Sequence, residues 1–192
     1  LKDSYTALHT LRVLKICYEF GKELELEKID LFNLSIGAML HDYGKVDIPF
    51  DLLNKPSKLT EEEFTEIMNH PVYGERYLRD LNFPIAIRDI VRHHHERIDG
   101  KGYPDGLKGD EIHKLVQIVA VADVFDALTT DRPYRKAITK EKALEYLEEK
   151  GDQLISKGLL SRFIRFAQHK EIIIQEKEIT ALWRSIISEL FK

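Results

Sequence analysis

His41 and Asp42 offer an imidazole nitrogen and a carboxylate from adjacent positions, and Lys45 adds an ammonium one short turn later. A divalent first-row metal accepts that pair of donors, and a carboxylate has two oxygens with which to bridge two metals. The compact charge of a lysine suits a phosphate oxygen, and Gly44 lets the chain turn sharply between them. A lone His-Asp at a helix end more often reads as a cap with a surface imidazole, so the other donors decide. They are His9, His70, His94, His95 and Asp123. With His41 and Asp42 they make seven N and O donors from five helices or helix ends, the dispersed pattern of bundles that hold metals at their centre. Seven donors exceed what one zinc takes. They suit two metals that share Asp42, with positions left open for water and substrate.

Asp123 is the strongest purely physical clue. It interrupts the apolar run from Leu115 to Phe125, where a carboxylate costs several kcal/mol unless it is hydrogen-bonded, paired or bound to a cation. Asp126, one turn on, is placed to orient a neighbouring ligand. His9 borders an apolar helix face and by itself reads as a satisfied histidine.

The chain has 192 residues, 43% of them hydrophobic and 32% charged. That is enough for one domain with a real core. The net charge of −4 argues against a general nucleic-acid binder, though not against a small anion held by local cations. The single Cys17 excludes an intramolecular disulfide framework and fits a reducing compartment. It reads as a small core residue. No apolar run approaches the ~20 residues of a membrane span, and no signal peptide is visible. The expectation is a cytoplasmic protein, or the cytoplasmic part of a larger sensor protein. The chain opens at Leu1 on running helix, as a fragment of a longer protein would.

The elements that must position the donors are helical throughout. The spacing predicts a helix from Ser4 to Gly21 and a second, capped by Asp30, that delivers His41 and Asp42 at its end. A loop follows from Val46 to Leu59. Thr60 with Glu63 forms a capping box for a helix reaching His70, and Pro71 suits the first turn of another. Ile85 to His95 is helical and ends in His93-His94-His95-Glu96. Arg97 to Ile112 holds Gly100, Gly102, Gly106, Gly109 and Pro104 and must be a shaped loop. Lys114 to Thr130, apolar nearly all round, is the central helix. Helices follow from Thr139 to Lys150, Gly158 to Gln168 and Glu176 to Phe191. The last carries Trp183, Ile186, Ile187 and Leu190 on a face expected to pack against the domain or a partner, such as a second copy in a homodimer. The fold class is all-α, a helical bundle with one irregular Gly-rich loop.

Read as motifs, the chain holds His41-Asp42-Tyr43-Gly44-Lys45, Ile48-Pro49, Leu52-Leu53-Asn54-Lys55-Pro56, Leu59-Thr60 and His70-Pro71-x-x-Gly74. They continue as His94-His95-Glu96-Arg97-x-Asp99-Gly100-x-Gly102-Tyr103-Pro104, Val121-Ala122-Asp123-x-x-Asp126-Ala127 and Asp131-Arg132-Pro133-Tyr134-Arg135. With these, from Leu8 to Arg135 and more weakly to Gly151, the sequence resembles the HD-GYP family, a branch of the HD metal-dependent phosphohydrolases. The resemblance implies one HD-GYP domain over 1–192 and hydrolysis of cyclic di-GMP, a bacterial second messenger. It implies that His9, His41, Asp42 and Asp123 hold one metal, and that Asp42, His70, His94 and His95 hold the other. Lys45 would hold a phosphate oxygen, Arg132 and Arg135 the phosphates or guanines, and the Tyr103 loop would line the groove. His93, His113 and His169 have no assigned role. Relatives with three metals have a Glu where Tyr5 stands, so two are expected. Family Ile-Pro-Asp reads Ile48-Pro49-Phe50 here, and Gly151-Asp152-Gln153-Leu154-Ile155 replaces the usual Phe-Asp-Pro, which leaves the C-terminal helices less typical.

The expected reaction is in-line attack of a metal-bridging hydroxide on one phosphorus, giving linear pGpG and, if that rebinds, GMP. Asp42 and Lys45 are its catalytic residues. Mixed His and carboxylate ligation favours Fe or Mn and is compatible with Zn, Co or Ni. Two alternatives stand beside it: a related hydrolase of another cyclic dinucleotide such as cyclic GMP-AMP, and a catalytically quiet module that binds other signalling proteins.

Overall fold

The apolar run that begins at Leu115 forms α7 (Lys114–Thr129), and every residue from Leu115 to Ala122 is buried. A helix apolar on all sides has to be surrounded, and the rest of the chain surrounds it. The computed structural model describes residues 4–55, 57–131, 135–170, 184, 186 and 188. The helices before α7 are α1 (Ser4–Glu23), α2 (Lys28–Leu40), the short α3 (Phe50–Leu53), α4 (Glu61–Ile67), α5 (His70–Asp80) and α6 (Ile85–His93). After it come α8 (Lys140–Lys150) and α9 (Lys157–His169). Among the described residues there is no strand, only an isolated antiparallel bridge between Asp99 and Lys108.

α1 packs on α2 and α7, α2 on α6, and α5 on α6; α8 joins α7 to α9, which reaches back to α1. One apolar cluster runs through these helices, from Val13, Cys17 and Phe20 through Leu34, Ile90 and Phe125 to Leu147 and Phe163. Phe163 meets Phe20 and Phe125 edge to face at centroid distances of 5.2 and 5.7 Å. Cys17 is fully buried, which pushes its thiol pKa up.

Several boundaries differ from the sequence expectation: α1 runs on to Glu23, and α6 stops at His93, so that His94 is its C-cap and His95 lies beyond it. α2 begins at Lys28 with Glu27 as its N-cap, so Asp30 lies in the first turn, where its charge faces the positive helix end. The Thr60–Glu63 capping box opens α4, but that helix stops at Ile67 and His70 belongs to α5, with Pro71 in its first turn. The stretch after Asp42 is partly ordered, as a 3-10 turn (Tyr43–Asp47) followed by α3. Of the expected last helix, Arg184, Ile186 and Ser188 are helical, and Ile186 packs on Leu14 and Tyr18 of α1. Trp183, Ile187 and Leu190 lie outside the described residues.

The segment that departs from the family pattern is tied to the Gly-rich loop. Ile98 N–H donates to the Leu154 carbonyl and Asp99 N–H to that of Gln153, both at 3.3 Å. Arg97 reaches the Gln153 side chain at 3.1 Å. Gln117 of α7 accepts from Ser156 N–H at 2.9 Å and donates to the Ile112 carbonyl at 2.8 Å.

Phe163→Ala should lower the unfolding free energy by about 3–5 kcal/mol, read from the urea midpoint. A loss below about 1 kcal/mol would show that α9 stands outside the cooperative core.

Candidate metal centre

The centre is assembled where helices stop. α2 ends at Leu40, His41 is its C-cap, and Asp42 leads into the 3-10 turn. That turn lies flat on α5. A Cβ at Gly44 would stand 1.9 Å from the His70 carbonyl oxygen and 2.4 Å from Gly74 N, so only glycine permits the approach that sets Asp42 beside His70.

The two oxygens of Asp42 face different histidines. Oδ1 is 3.3 Å from His70 Nε2 and 4.0 Å from His94 Nε2. Oδ2 is 3.5 Å from His41 Nε2 and 3.7 Å from His9 Nε2. Asp42, His70, His94 and His95 each offer a donor atom within 4.8 Å of the others, as do His9, His41 and Asp42. Asp123 approaches the second group through its Oδ1, 3.3 Å from His9 Nε2.

Four of the five imidazoles present a defined nitrogen. Nδ1 of His41, His70 and His94 lies 2.7, 2.8 and 2.9 Å from the carbonyls of Ala38, Ile67 and Val91, three residues back in each case. With Nδ1–H donated there, the neutral ring turns its Nε2 lone pair inward. His9 is held at 2.7 Å from Nδ1 to Asp126 Oδ2. Asp126 also accepts from Arg12, at 2.5 Å from Nε and 3.1 Å from Nη2. Arg12, one turn from His9 on α1, is a part of the site that sequence reasoning missed; its i+3 spacing from His9 was the available signal.

Electrostatics leaves Asp42, Asp123, His41, His94 and His95 in the forms that bind metal. Burial raises the Asp42 pKa, but Lys45 and the histidines outweigh it and hold the carboxyl well below the usual range. Asp123 is likewise lowered against its burial, by His9 and His41 first. Burial pushes His41 and His94 down, and His95 to about 3. His9 is raised in spite of burial, because the Asp126 hydrogen bond and the Asp123 and Asp42 charges surround it. Ionised carboxylates beside neutral imidazoles are the donor forms a divalent cation requires.

The donors fit such a cation on their own geometry. His41 Nε2 is buried with no hydrogen-bond partner among the described residues. His70 Nε2 and His94 Nε2 lie 3.3 Å apart, and with both Nδ1–H groups committed elsewhere two lone pairs face each other. A cation between them resolves that conflict.

The other expected site residues are less uniform. Lys45 Nζ contacts Asp42 Oδ2 at 2.7 Å and stays 31% exposed, open to a ligand. The Tyr103 ring stacks on His95, and burial keeps its phenol protonated, with Asp123 and Asp42 adding to the upward shift. Arg135 is exposed and donates to the Ala127 carbonyl. Arg132 lies outside the described residues. Asp123 is less enclosed than expected: its side chain is 15% exposed, against 2% for Asp126. His113 is an exposed N-cap that accepts from Leu115 N–H at 3.3 Å, and His169 is exposed at the end of α9.

Residues 1–157 match the family model described as HD domain. A cyclic di-GMP phosphodiesterase of Pseudomonas aeruginosa is 40% identical over 148 residues, 77% of this chain and 36% of that protein. One from Thermotoga maritima is 37% identical over 185 residues, 95% of this chain and 48% of that protein. A 3'3'-cGAMP-specific phosphodiesterase of Vibrio cholerae is 39% identical over 148 residues, 77% and 32% of the two lengths. The chain thus spans about a third to a half of the curated relatives it matches. Among solved structures, an HDGYP-type protein from Bdellovibrio bacteriovorus superposes with a TM-score of 0.69 at 22% identity, covering 84% of this chain and 52% of that one. The HD domain of an L. monocytogenes phosphodiesterase in complex with cyclic-di-AMP does so at 0.61 and 17%, covering 84% and 88%. These two share the helical fold. No helix among the described residues is long and apolar enough to cross a membrane.

Asp126→Asn, which leaves the His9 tautomer undefined, and Arg12→Ala, which releases the carboxylate, should each weaken Mn(II) binding by about 10- to 100-fold in a titration of the free ion. Unchanged affinity in both would remove the Arg12–Asp126 pair from the metal centre.

Proposed function

This chain belongs to the HD domain family, and from that premise we propose that it is a metal-dependent phosphodiesterase that opens cyclic di-GMP to linear pGpG. The observation that supports this most is the buried Asp42, with one oxygen turned to His70 and His94, the other to His9 and His41, and the Lys45 ammonium at its rim.

His9, His41, Asp42 and Asp123 would hold one divalent ion, and Asp42, His70, His94 and His95 the other, with Fe or Mn favoured by the donor set. Such ions supply Lewis acidity and a water that is acidic enough to attack at neutral pH. The protein's residues do the rest. Asp42 keeps both halves of the site in register. Lys45 has three N–H donors, so it can keep its Asp42 contact and still neutralise charge building on a phosphoryl oxygen. Tyr103 forms a wall over His95 against which a nucleotide can rest, and Arg132 and Arg135 are the cations for the remaining phosphate or guanine groups. No side chain acts as nucleophile, so a covalent phosphoenzyme would contradict the scheme. The 3′ oxygen of one ribose leaves and the ring opens; a second cut to GMP requires the linear product to bind again. The proposed place of action is the cytoplasm.

The similarity to a 3'3'-cGAMP-specific enzyme gives the second reading, in which the same centre cuts cyclic GMP-AMP. Anaerobic loading with Fe(II) or Mn(II), followed by chromatography of products from each dinucleotide, separates the two. Wild type should yield pGpG. Asp42→Ala should yield none and lose metal, because a shared ligand is gone, while Arg132→Ala should mainly raise KM. Wild-type rate and metal content in Asp42→Ala would refute the site. Faster turnover of cyclic GMP-AMP would transfer the proposal to that substrate.

A further inference from the structure

His95 lacks the device that orients the other four histidines. His41, His70 and His94 give Nδ1 to a backbone carbonyl and His9 gives it to Asp126. No hydrogen bond to the His95 ring exists among the described residues, and the residue lies beyond α6 and its C-cap His94. Its support is aromatic: it meets the rings of His94 at 4.0 Å, Tyr103 at 4.7 Å and His70 at 5.1 Å between centroids, and only the Tyr103 ring stacks on it, with planes 28° from parallel. Tyr103 is the one of the three that is not itself a candidate ligand, so whatever holds Tyr103 bears on the orientation of His95.

That holder begins with the residue next to His95. Glu96 is 1% exposed, yet it points at no cation. Its Oε1 accepts from the backbone N–H of Asp105 at 2.6 Å and of Gly106 at 3.0 Å, and its Oε2 from that of Leu107 at 3.0 Å. A carboxylate buried this deeply is tolerated because three consecutive amides enclose it. The backbone before Tyr103 is equally tight. Tyr103 N–H donates to the His95 carbonyl at 3.3 Å, and a Cβ at Gly102 would stand 2.4 Å from Glu96 Cα. From outside, the Asp105 carboxylate accepts from Arg92 at 2.7 and 2.8 Å and faces His93 Nε2 at 2.8 Å. His93, without a role at the metal centre, grips the loop instead.

We propose that Glu96 is a positioning residue for the metal centre: its carboxylate fixes the 105–107 backbone, which seats the Tyr103 ring on His95 and so directs the His95 lone pair. The proposal rests on the reading of His95 as a metal ligand. It predicts a coupling that general stabilisation would not produce, since the effect of Glu96 on metal has to pass through the Tyr103 ring.

The test is a titration of the whole chain with Mn(II), following the free ion by electron paramagnetic resonance, with thermal melting alongside. Gln at position 96 can accept at most two of the three N–H groups. Glu96→Gln should therefore bind Mn(II) roughly tenfold more weakly. Tyr103→Ala should show a similar loss, and Tyr103→Phe, which keeps the ring, should bind Mn(II) as the wild type does. The Glu96→Gln/Tyr103→Ala double variant should bind no more weakly than Tyr103→Ala alone. Wild-type affinity in Glu96→Gln, or losses that multiply in the double variant, would overturn the proposal. Should Glu96→Gln fail to fold, equal affinity of Tyr103→Ala and wild type would overturn it. A wild type that binds Mn(II) but cuts no cyclic dinucleotide removes the proposed substrate and leaves this inference to the variants. One that takes up no Mn(II) overturns it together with the metal assignment.

Discussion

A carboxylate at the middle of a helical protein is the constraint from which the rest of the structure follows. Asp42 is buried and ionised, and an isolated charge in that place would be untenable. Lys45 offsets it at 2.7 Å, and four imidazole Nε2 atoms face its two oxygens, an arrangement that a bound cation would complete. Bringing them there needs α1, the end of α2, the start of α5 and the end of α6 at one point. The close approach of Gly44 to the first turn of α5, and the packing of α2 and α5 against α6, are the local cost of that convergence. The apolar cluster around α7 supplies the rigidity that keeps it.

The same hydrogen bond recurs at three of the donors. A helix ends with carbonyls that have no intrahelical partner. His41, His70 and His94 stand just past the ends of α2, α4 and α6, and each gives Nδ1–H to one of those carbonyls. One bond thereby satisfies a helix terminus, selects a tautomer and aims Nε2 at the centre. At His70 the Ile67 carbonyl is free because Pro71, four residues after Ile67, has no N–H to give it, which also ends α4 there. His9, inside α1, has no terminal carbonyl to use, and the Arg12–Asp126 pair takes over that task. His95 has neither arrangement and meets the Tyr103 ring.

The Gly-rich loop is held on three sides, by Glu96 from within, by Arg92 and His93 from outside, and by Gln153 and Leu154 from beyond α8. The residues at 151–155, which depart most from the family pattern, are therefore in mechanical contact with the loop that carries Tyr103.

Much of this was legible in the residues themselves. The all-round apolar run of α7, the Thr60–Glu63 box, Pro71 in a first helical turn and the glycine density of 97–112 each carry their own local physics, so the elements they specify could be read without knowing the fold. The candidate donors were visible in part: a carboxylate inside an apolar run is anomalous wherever it occurs, whereas a histidine at a helix end is ordinary alone and stood out only in company with the other donors. What could not be read was direction across space. Which Asp42 oxygen faces which imidazole, that Arg12 stands behind Asp126 at a separation of 114 residues, and that Glu96 turns away from the centre to hold its own loop are properties of helices in contact. Periodicity reports which face of a helix is buried and is silent about what that face meets. Residue types and helix ends follow from short-range sterics and hydrogen bonding along the chain, whereas the pairing of charges follows only once packing has chosen the neighbours.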